Sequence, residues 1–191
     1  MSVLSMSAAL TAAVVPAAHA ASAQEIDIKV DAALKRFRED VDGAEEFMNA
    51  AKGVLVFPSV LKGGFVVGAE WGEGALRIGG ATVDYYNTVA GSFGFQLGAQ
   101  AKTVIIIFME QKALENFRDS KGWEAGVDGS VALVELGAGE SLDTTNIRDP
   151  IVGFVFGNKG LMFNLTLEGS KFTRLDKSKG NGGDKQDTEA Q

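Results

Sequence analysis

The sequence contains no cysteine and only one histidine, His19, in its 191 residues. A chain without cysteine can form no disulfide, no thiolate metal site and no lipid-modified N-terminal cysteine. His19 lies in a segment that we expect to be removed, so the mature chain would also lack histidine. Ser-His-Asp catalysis, Cys-His catalysis and the usual zinc sites are then excluded together. We therefore predict a protein that is not an enzyme and has no metal site or other cofactor.

An excess of positive charge is also missing. The chain has 18 Lys and Arg residues against 25 Asp and Glu residues, and its formal net charge is −7. A nucleic-acid-binding protein needs a basic face that neutralises phosphates. The sequence also has no zinc-finger or RNA-binding signature. We expect no nucleic-acid partner.

The first twenty residues contain no charged side chain. Their apolar centre, Val3 to Val15, is too short to span a bilayer comfortably. The sequence Pro-Ala-Ala-His-Ala follows and ends at Ala20 as a small-x-small cleavage site, although the basic residue expected near the start is missing. We predict a secretory signal peptide over residues 1–20 rather than a buried or anchoring helix. The protein would then be exported, and either periplasmic or peripherally associated with the cell envelope.

Glycine is abundant, with 24 residues, about twice the share in an average protein. Between Ala51 and Gly98, short runs of Val, Phe, Ile and Leu alternate with breaks that contain glycine, a pattern typical of strands and turns. Glycine within a strand marks a bulge, a bend or a close backbone approach, so a curved or closed sheet is expected. We predict strands at residues 54–57, 65–70, 75–78, 81–86, 91–99 and 103–108. The last is apolar on both faces and should be central.

Helical periodicity appears in three places. Residues 24–41 have apolar side chains at spacings of three and four, which predicts an amphipathic helix. Asp42 and Glu45 resemble a capping box that would begin a second, short helix ending near Lys52. Residues 109–119 should form the third helix.

Further strands are predicted at residues 126–136, 151–156, 161–167 and 170–175, with a turn at residues 158–160. We infer an α+β fold: a glycine-rich, mostly antiparallel barrel-like or two-layer β domain with N-terminal amphipathic helices and one helix in the middle of the chain. The predicted organisation is a signal peptide (1–20), an amphipathic helical segment (21–42), the domain (43–175) and a disordered polar tail (176–191).

Seven spaced motifs lie in order between Gly43 and Leu175: Ala51-Lys52-Gly53, Phe57-Pro58, Lys62-Gly63-Gly64-Phe65, Val67-Gly68, Gly94-Phe95-Gln96-Leu97-Gly98, Lys159-Gly160-Leu161 and Leu167-Glu168-Gly169. Together they resemble the SYLF domain, a lipid-binding family. Where many members have a Trp-Ser-x-Pro segment, this chain has residues 82–86. The resemblance implies a non-enzymatic lipid- or membrane-binding protein. Phosphoinositides are generally absent from bacterial envelopes, so anionic phospholipid is the expected ligand.

The candidate lipid-binding residues come from the first helix and from two turns. The helix offers Phe37 on its apolar side and basic side chains for headgroups; the turn lysines match the family pattern. The full set is Lys29, Lys35, Arg36, Phe37, Arg38, Lys62 and Lys159. Two alternatives stay open, because the apolar stripe of the helix can equally pack on the sheet and an exposed turn lysine is usually only solvated.

Four other features have weaker functional interpretations. The protein could be an interaction module that binds an envelope protein without direct lipid contact. Glu70 and Glu73 flank Trp71, and glycoside hydrolases use a pair of carboxylates for catalysis. The loop from Glu140 to Asp149 contains oxygen ligands suited to Ca²⁺ but lacks the spacing of an EF-hand. Asp84, Tyr85 and Tyr86 form another polar cluster, for which half-buried tyrosines are the ordinary explanation.

Overall fold

The structure, a computed structural model, describes residues 21–64, 67–93, 100–134, 149–157, 160–161 and 166–177. The predicted signal peptide lies outside these ranges. So do Lys159, the motif at residues 94–98, three of the proposed Ca²⁺ ligands (Glu140, Asp143 and Asn146) and the tail beyond residue 177.

Three helices and nine strands follow one another in the described part of the chain. The helices are α1 (Ala23–Asp40), α2 (Ala44–Ala50) and α3 (Gln111–Asp119). The strands are β1 (Gly53–Gly64), β2 (Val67–Ile78), β3 (Ala81–Phe93), β4 (Gln100–Phe108), β5 (Trp123–Glu124), β6 (Ala132–Leu133), β7 (Ile151–Gly157), β8 (Gly160–Leu161) and β9 (Lys171–Leu175).

All nine strands form one sheet. Its order is β5-β9-β3-β2-β1-β4-β7-β6, and β8 pairs with β7 off this path. The described pairings are antiparallel except for β6 with β7, which is parallel. The sheet curls into a half-barrel, which confirms the predicted α+β, barrel-like fold.

The sheet has a core on each face. On one face, α1 and α2 bury their apolar side chains against residues such as Val54, Ile105 and Phe154. On the other, concave face, α3 contributes Leu114 and Phe117 to a second core. β4 supplies side chains to both cores and lies between β1 and β7, so the prediction of a central strand is confirmed.

The curl brings the two ends of the sheet together on the concave face. Trp123 belongs to the strand at one end and Ile151 begins β7, the next-to-last strand at the other. Gly129 lies between them: a Cβ there would be 2.8 Å from the Trp123 ring and 3.8 Å from Ile151. The glycine therefore allows the interior to close.

β1 contains a bulge of one residue relative to both of its neighbours. Against β2 the register shifts between Val56 and Ser59, and against β4 it shifts between Phe57 and Val60. An extra residue reverses the side to which the following residues point, because side chains alternate along a strand. Val54 and Val56 accordingly face α1, whereas Val60 joins the concave core.

Two glycines of β2 make room for this bulge. A Cβ at Gly74 would lie 2.1 Å from the Val56 carbonyl oxygen, and one at Gly72 would lie 2.7 Å from the Ser59 carbonyl oxygen. The predicted role of strand glycines in bulges and close approaches is found here. The predicted break between residues 70 and 75 is wrong, because β2 runs continuously from Val67 to Ile78.

Two further local predictions need correction. The second helix begins from Gly43, which has φ 85° and makes no side-chain cap hydrogen bond, and so the predicted capping box of Asp42 and Glu45 is not used. In place of a single strand at residues 126–136, a turn at Gly126 follows β5 and precedes the two-residue strand β6. Apolar residues in that segment fill the concave core without continuous pairing.

Helix α1 is held to the sheet by polar groups as well as by apolar packing. Asp27 accepts hydrogen bonds from the Thr82 hydroxyl at 2.6 Å and the Tyr85 hydroxyl at 2.8 Å. Arg77 pairs with Asp31 at 2.8 Å and also lies 3.5 Å from Asp27. These contacts fix the N-terminal half of the helix across β2 and β3.

We predict that Gly74→Ala strongly destabilises the fold. The added methyl group would overlap backbone atoms of the bulge, which cannot move as a side chain can, and overpacking of this kind costs about 1–3 kcal/mol or more. Gly91→Ala is the matched control, because a Cβ there meets nothing within 4 Å. Urea unfolding should show a large decrease in the free energy of unfolding for Gly74→Ala and little change for Gly91→Ala. Equal decreases would contradict the close approach of Gly74 to the backbone of β1.

We predict that the fold loses stability at alkaline pH because Tyr85 ionises. Burial, and then the hydrogen bond and charge of Asp27, raise the pKa of Tyr85 to about 12. Because the folded state favours the neutral phenol, its contribution to stability is complete below pH 10 and is lost as the pH rises through about 12.

Absorbance titration of a Tyr86→Phe variant measures Tyr85 alone, since the chain has two tyrosines and the buried Tyr86 hydroxyl makes no hydrogen bond to the described residues. Asp27→Asn in that background should lower the pKa of Tyr85 part of the way to its ordinary value. An unchanged pKa would show that Asp27 does not accept a hydrogen bond from the Tyr85 hydroxyl in solution.

Candidate functional site

Three large apolar side chains lie exposed next to one another on the sheet. Leu61 of β1 is directly opposite Trp71 of β2, and Trp71 is directly opposite Val89 of β3. They are 39%, 47% and 48% exposed, respectively. We call these three residues the apolar row.

The apolar row lies on the same face of the sheet as α1, beside the part that the helix covers. Without the bulge in β1, alternation would turn Leu61 towards the concave core; with it, Leu61 lies on the same side as Trp71. A groove of about 520 Å³ runs between the row and the N-terminal end of α1, whose Glu25, Ile26 and Lys29 form its other wall. The row is therefore the part of this face that the helix leaves uncovered.

Glycine shapes the surface around Trp71. A Cβ at Gly63 would lie 2.9 Å from the indole ring, so the ring lies across the backbone of β1. Exposed tryptophan with neighbouring aliphatic side chains is unusual on a solvated surface, and indole rings favour membrane and protein interfaces. The arrangement can bury apolar area against a partner.

Two lysines flank the apolar row. Lys29 on α1 lines the groove and pairs with Glu25 at 2.6 Å, and this pair lowers the pKa of Glu25. Lys171 on β9 is exposed and directly opposite Val89. Positive charge is thus available at both sides of the row.

The structure places Phe37, one of the predicted lipid-binding residues, in the core. It is 1% exposed, and its ring centroid lies 4.7 Å from that of Phe154 and 5.9 Å from that of Phe156. Of the two alternatives for the apolar stripe of α1, packing on the sheet is the one observed. Phe37 can touch a lipid only if α1 leaves the sheet.

The other basic residues of α1 lie towards its C-terminal end and form exposed ion pairs. Lys35 pairs with Glu39, Arg36 with Asp40 at 2.9 Å and Arg38 with Glu45 at 2.8 Å. Arg36 also donates to the Gly157 carbonyl oxygen. Of the four basic residues of α1 that were predicted to bind lipid, Lys29 alone lines the groove beside the row.

The predicted turn lysines are not brought together with these residues. Lys62 is half-buried within β1 and is the residue after Leu61, so it points to the opposite, concave side of the sheet. Lys159 lies outside the described residues.

The carboxylates flanking Trp71 cannot act as a catalytic pair. Glu70 and Glu73 are three residues apart on one strand and therefore point to opposite faces of the sheet. Each has its own cation: Glu70 pairs with Lys102 at 2.6 Å and Glu73 with Lys177 at 2.9 Å.

The remaining polar candidates have structural contacts. Asp84 pairs with Arg118 and Arg174, and burial raises the pKa of Tyr86. Asp149, the described residue of the proposed Ca²⁺ loop, is exposed. Among the described residues there is no group of acidic or histidine side chains suited to a metal ion. In the same part of the chain, every helix is too short or too polar to cross a bilayer.

Sequence reasoning missed Leu61, Val89 and Lys171 as candidate site residues. Each is an ordinary residue of a strand, and only the register places them side by side with Trp71. Val89 lies outside the predicted strands, which are residues 81–86 and 91–99, whereas β3 runs from Ala81 to Phe93.

Comparison with known proteins supports the family resemblance. The model for the SYLF domain, described as "Ysc84: Las17-binding protein actin regulator", matches residues 89–180, slightly less than half of the chain. A search of curated proteins finds no match. The family consists of binding modules for lipids or actin-related partners. Residues 89–180 are therefore similar to the SYLF-domain family, as the motifs in the sequence predicted.

Proposed function

We propose that this protein is a non-enzymatic membrane-binding protein of the bacterial cell envelope and that it contacts phospholipid through the apolar row. The observation that carries the proposal is the exposure of Leu61, Trp71 and Val89 as direct neighbours across three strands. Similarity to a family of binding modules supports it. The predicted signal peptide supports export to the envelope.

The size of the row implies weak, reversible attachment. Burying the exposed parts of its three side chains would contribute on the order of 5 kcal/mol, at about 25 cal/mol per Å². That is comparable with a single myristoyl chain, which by itself gives only marginal membrane binding. A second contribution is needed for stable attachment.

Lys29 and Lys171 can supply this contribution on an anionic surface. A basic residue close to such a surface contributes about 1 kcal/mol. The whole of α1 is less suitable, because it has five acidic against four basic side chains and its other basic residues lie towards its C-terminal end, away from the row. We therefore expect binding to combine apolar insertion with a modest preference for anionic lipid that weakens in salt.

Substitution of Val89 tests the apolar row. Val89→Glu places a charge in the middle of the contact and should abolish binding of residues 21–191 to vesicles, measured by co-sedimentation. The control is Val127→Glu, because Val127 is an isolated exposed valine, 74% exposed, in the turn after β5. Both variants should keep the wild-type circular dichroism spectrum. Equal binding by the two variants would exclude the row as the membrane contact.

Tryptophan fluorescence follows the same contact directly. The chain has two tryptophans; Trp71 is exposed and Trp123 is 3% exposed in the core. Addition of vesicles should shift the emission to shorter wavelength in the wild type. The shift should disappear in Trp71→Phe while this variant still co-sediments; a shift that persists would assign the change to Trp123.

Charge reversal separates the row from the rest of α1. Lys29→Glu should weaken binding to anionic vesicles about fivefold or more, because one attractive charge becomes repulsive at the membrane. Lys35→Glu is a matched control, since Lys35 is also exposed and paired with a glutamate four residues away but is not part of the groove. Equal losses of vesicle binding in the two variants would favour membrane contact along the whole helix. No vesicle binding by the wild type would favour a protein-interaction module instead.

A further inference from the structure

The first described residue of the chain is held at a half-buried carboxylate. The backbone nitrogen of Ala21 donates to Glu73 Oε2 at 3.0 Å. Lys177 Nζ donates to the Ala21 carbonyl oxygen and to Glu73 Oε1, each at 2.9 Å. The side chains of Glu73 and Lys177 are 27% and 12% exposed. These three residues therefore join the start of α1, the middle of β2 and the segment after β9.

The predicted signal-peptide cleavage falls at this nitrogen. Hydrolysis of the bond between Ala20 and Ala21 adds water across it: Ala20 leaves with a carboxylate, and the nitrogen of Ala21 becomes a primary amine. An α-amino group ordinarily has a pKa of about 8, so it takes up a proton and is an ammonium group at neutral pH. The amide donor beside Glu73 thus becomes a cation with three donors.

We propose that Glu73 is the binding site for the α-ammonium group of the processed chain, with Lys177 holding the carboxylate in place. Processing after Ala20 then replaces a neutral donor to this carboxylate by a cationic one at the same position, so an ion pair forms where the longer chain has only an amide hydrogen bond. This inference depends on the export part of the proposed function and not on lipid contact.

The geometry matches a chain that begins at Ala21 and not at a neighbouring residue. Residue 21 is the last before the helical N-cap: the Ser22 hydroxyl accepts from Glu25 and α1 begins at Ala23. A chain cut one residue later would lose the nitrogen that meets Glu73. A chain cut earlier would keep an amide there and place its charge elsewhere.

The other charged groups near this site belong to α1. Glu25 and Lys29 line the same groove, and they pair with each other at 2.6 Å. The Glu73 carboxylate would therefore be shared by the ammonium group and Lys177, since Glu25, the other acidic residue that lines this groove, is paired with Lys29.

The first experiment is to express the whole chain in a bacterium and to determine the N-terminus of the exported protein by intact mass and sequencing. A start at Ala21 is expected. A start at any other residue, or an unprocessed chain, overturns the proposal. Vesicle binding is measured separately on residues 21–191, so either result leaves that test intact.

The second experiment measures the ion pair by a double-mutant cycle. The chain starting at Ala21 is compared with one starting at Ala18, which keeps an amide at Ala21, each with and without Glu73→Gln. In the wild-type background, the longer chain should have a urea midpoint lower by on the order of 0.5 M. With Glu73→Gln, this difference should largely disappear.

Glu45→Gln provides the control for the cycle. Glu45 is also paired with a cation, Arg38, but it belongs to α2, which follows the C-terminal end of α1. The difference between the two start sites should persist unchanged in that variant. If the start site has no effect in the wild type, or the same effect with and without Glu73, the ammonium group does not bind Glu73 and the proposal is wrong.

Discussion

The bulge between Val56 and Val60 reverses the side of the sheet to which β1 points its side chains. Before it, Val54 and Val56 face α1; after it, Val60 enters the concave core and Leu61 lies on the helical side. The bulge can form only because β2 has glycines opposite, where a Cβ would overlap the carbonyl oxygens of β1. The second core and the apolar row both depend on this local contact.

Helix α1 uses its apolar stripe to complete the fold. Phe37 packs edge-on against the phenylalanines of β7, while Asp27 and Arg77 hold the N-terminal half to β2 and β3. Of the large apolar side chains of α1, only Ile28 is exposed, so the apolar stripe of the helix is not available to a membrane. A row of exposed apolar side chains lies instead on the strands beyond its N-terminal end, and this shifts the expected membrane contact from the helix to the sheet.

The sequence predicted the central strand, the three helices and the barrel-like α+β class, because apolar periodicity reports which faces are buried. It placed the strand boundaries poorly. A glycine looks the same in the sequence whether it ends a strand or receives a neighbour's bulge, and the neighbour of Gly74 is 18 residues away, at Val56. Likewise, Asp42 and Glu45 have the spacing of a capping box, yet Gly43 begins the helix in a left-handed conformation.

The sequence by itself determined that the chain has no cysteine and a single histidine, His19, within the predicted signal peptide. The resemblance to the SYLF domain also came from the sequence alone, since the motifs are local strings of residues that need no structure to recognise. Only the tertiary structure decided which surface is free. Leu61, Trp71, Val89 and Lys171 belong to four different strands, and pairing register is the physical reason that they form one surface.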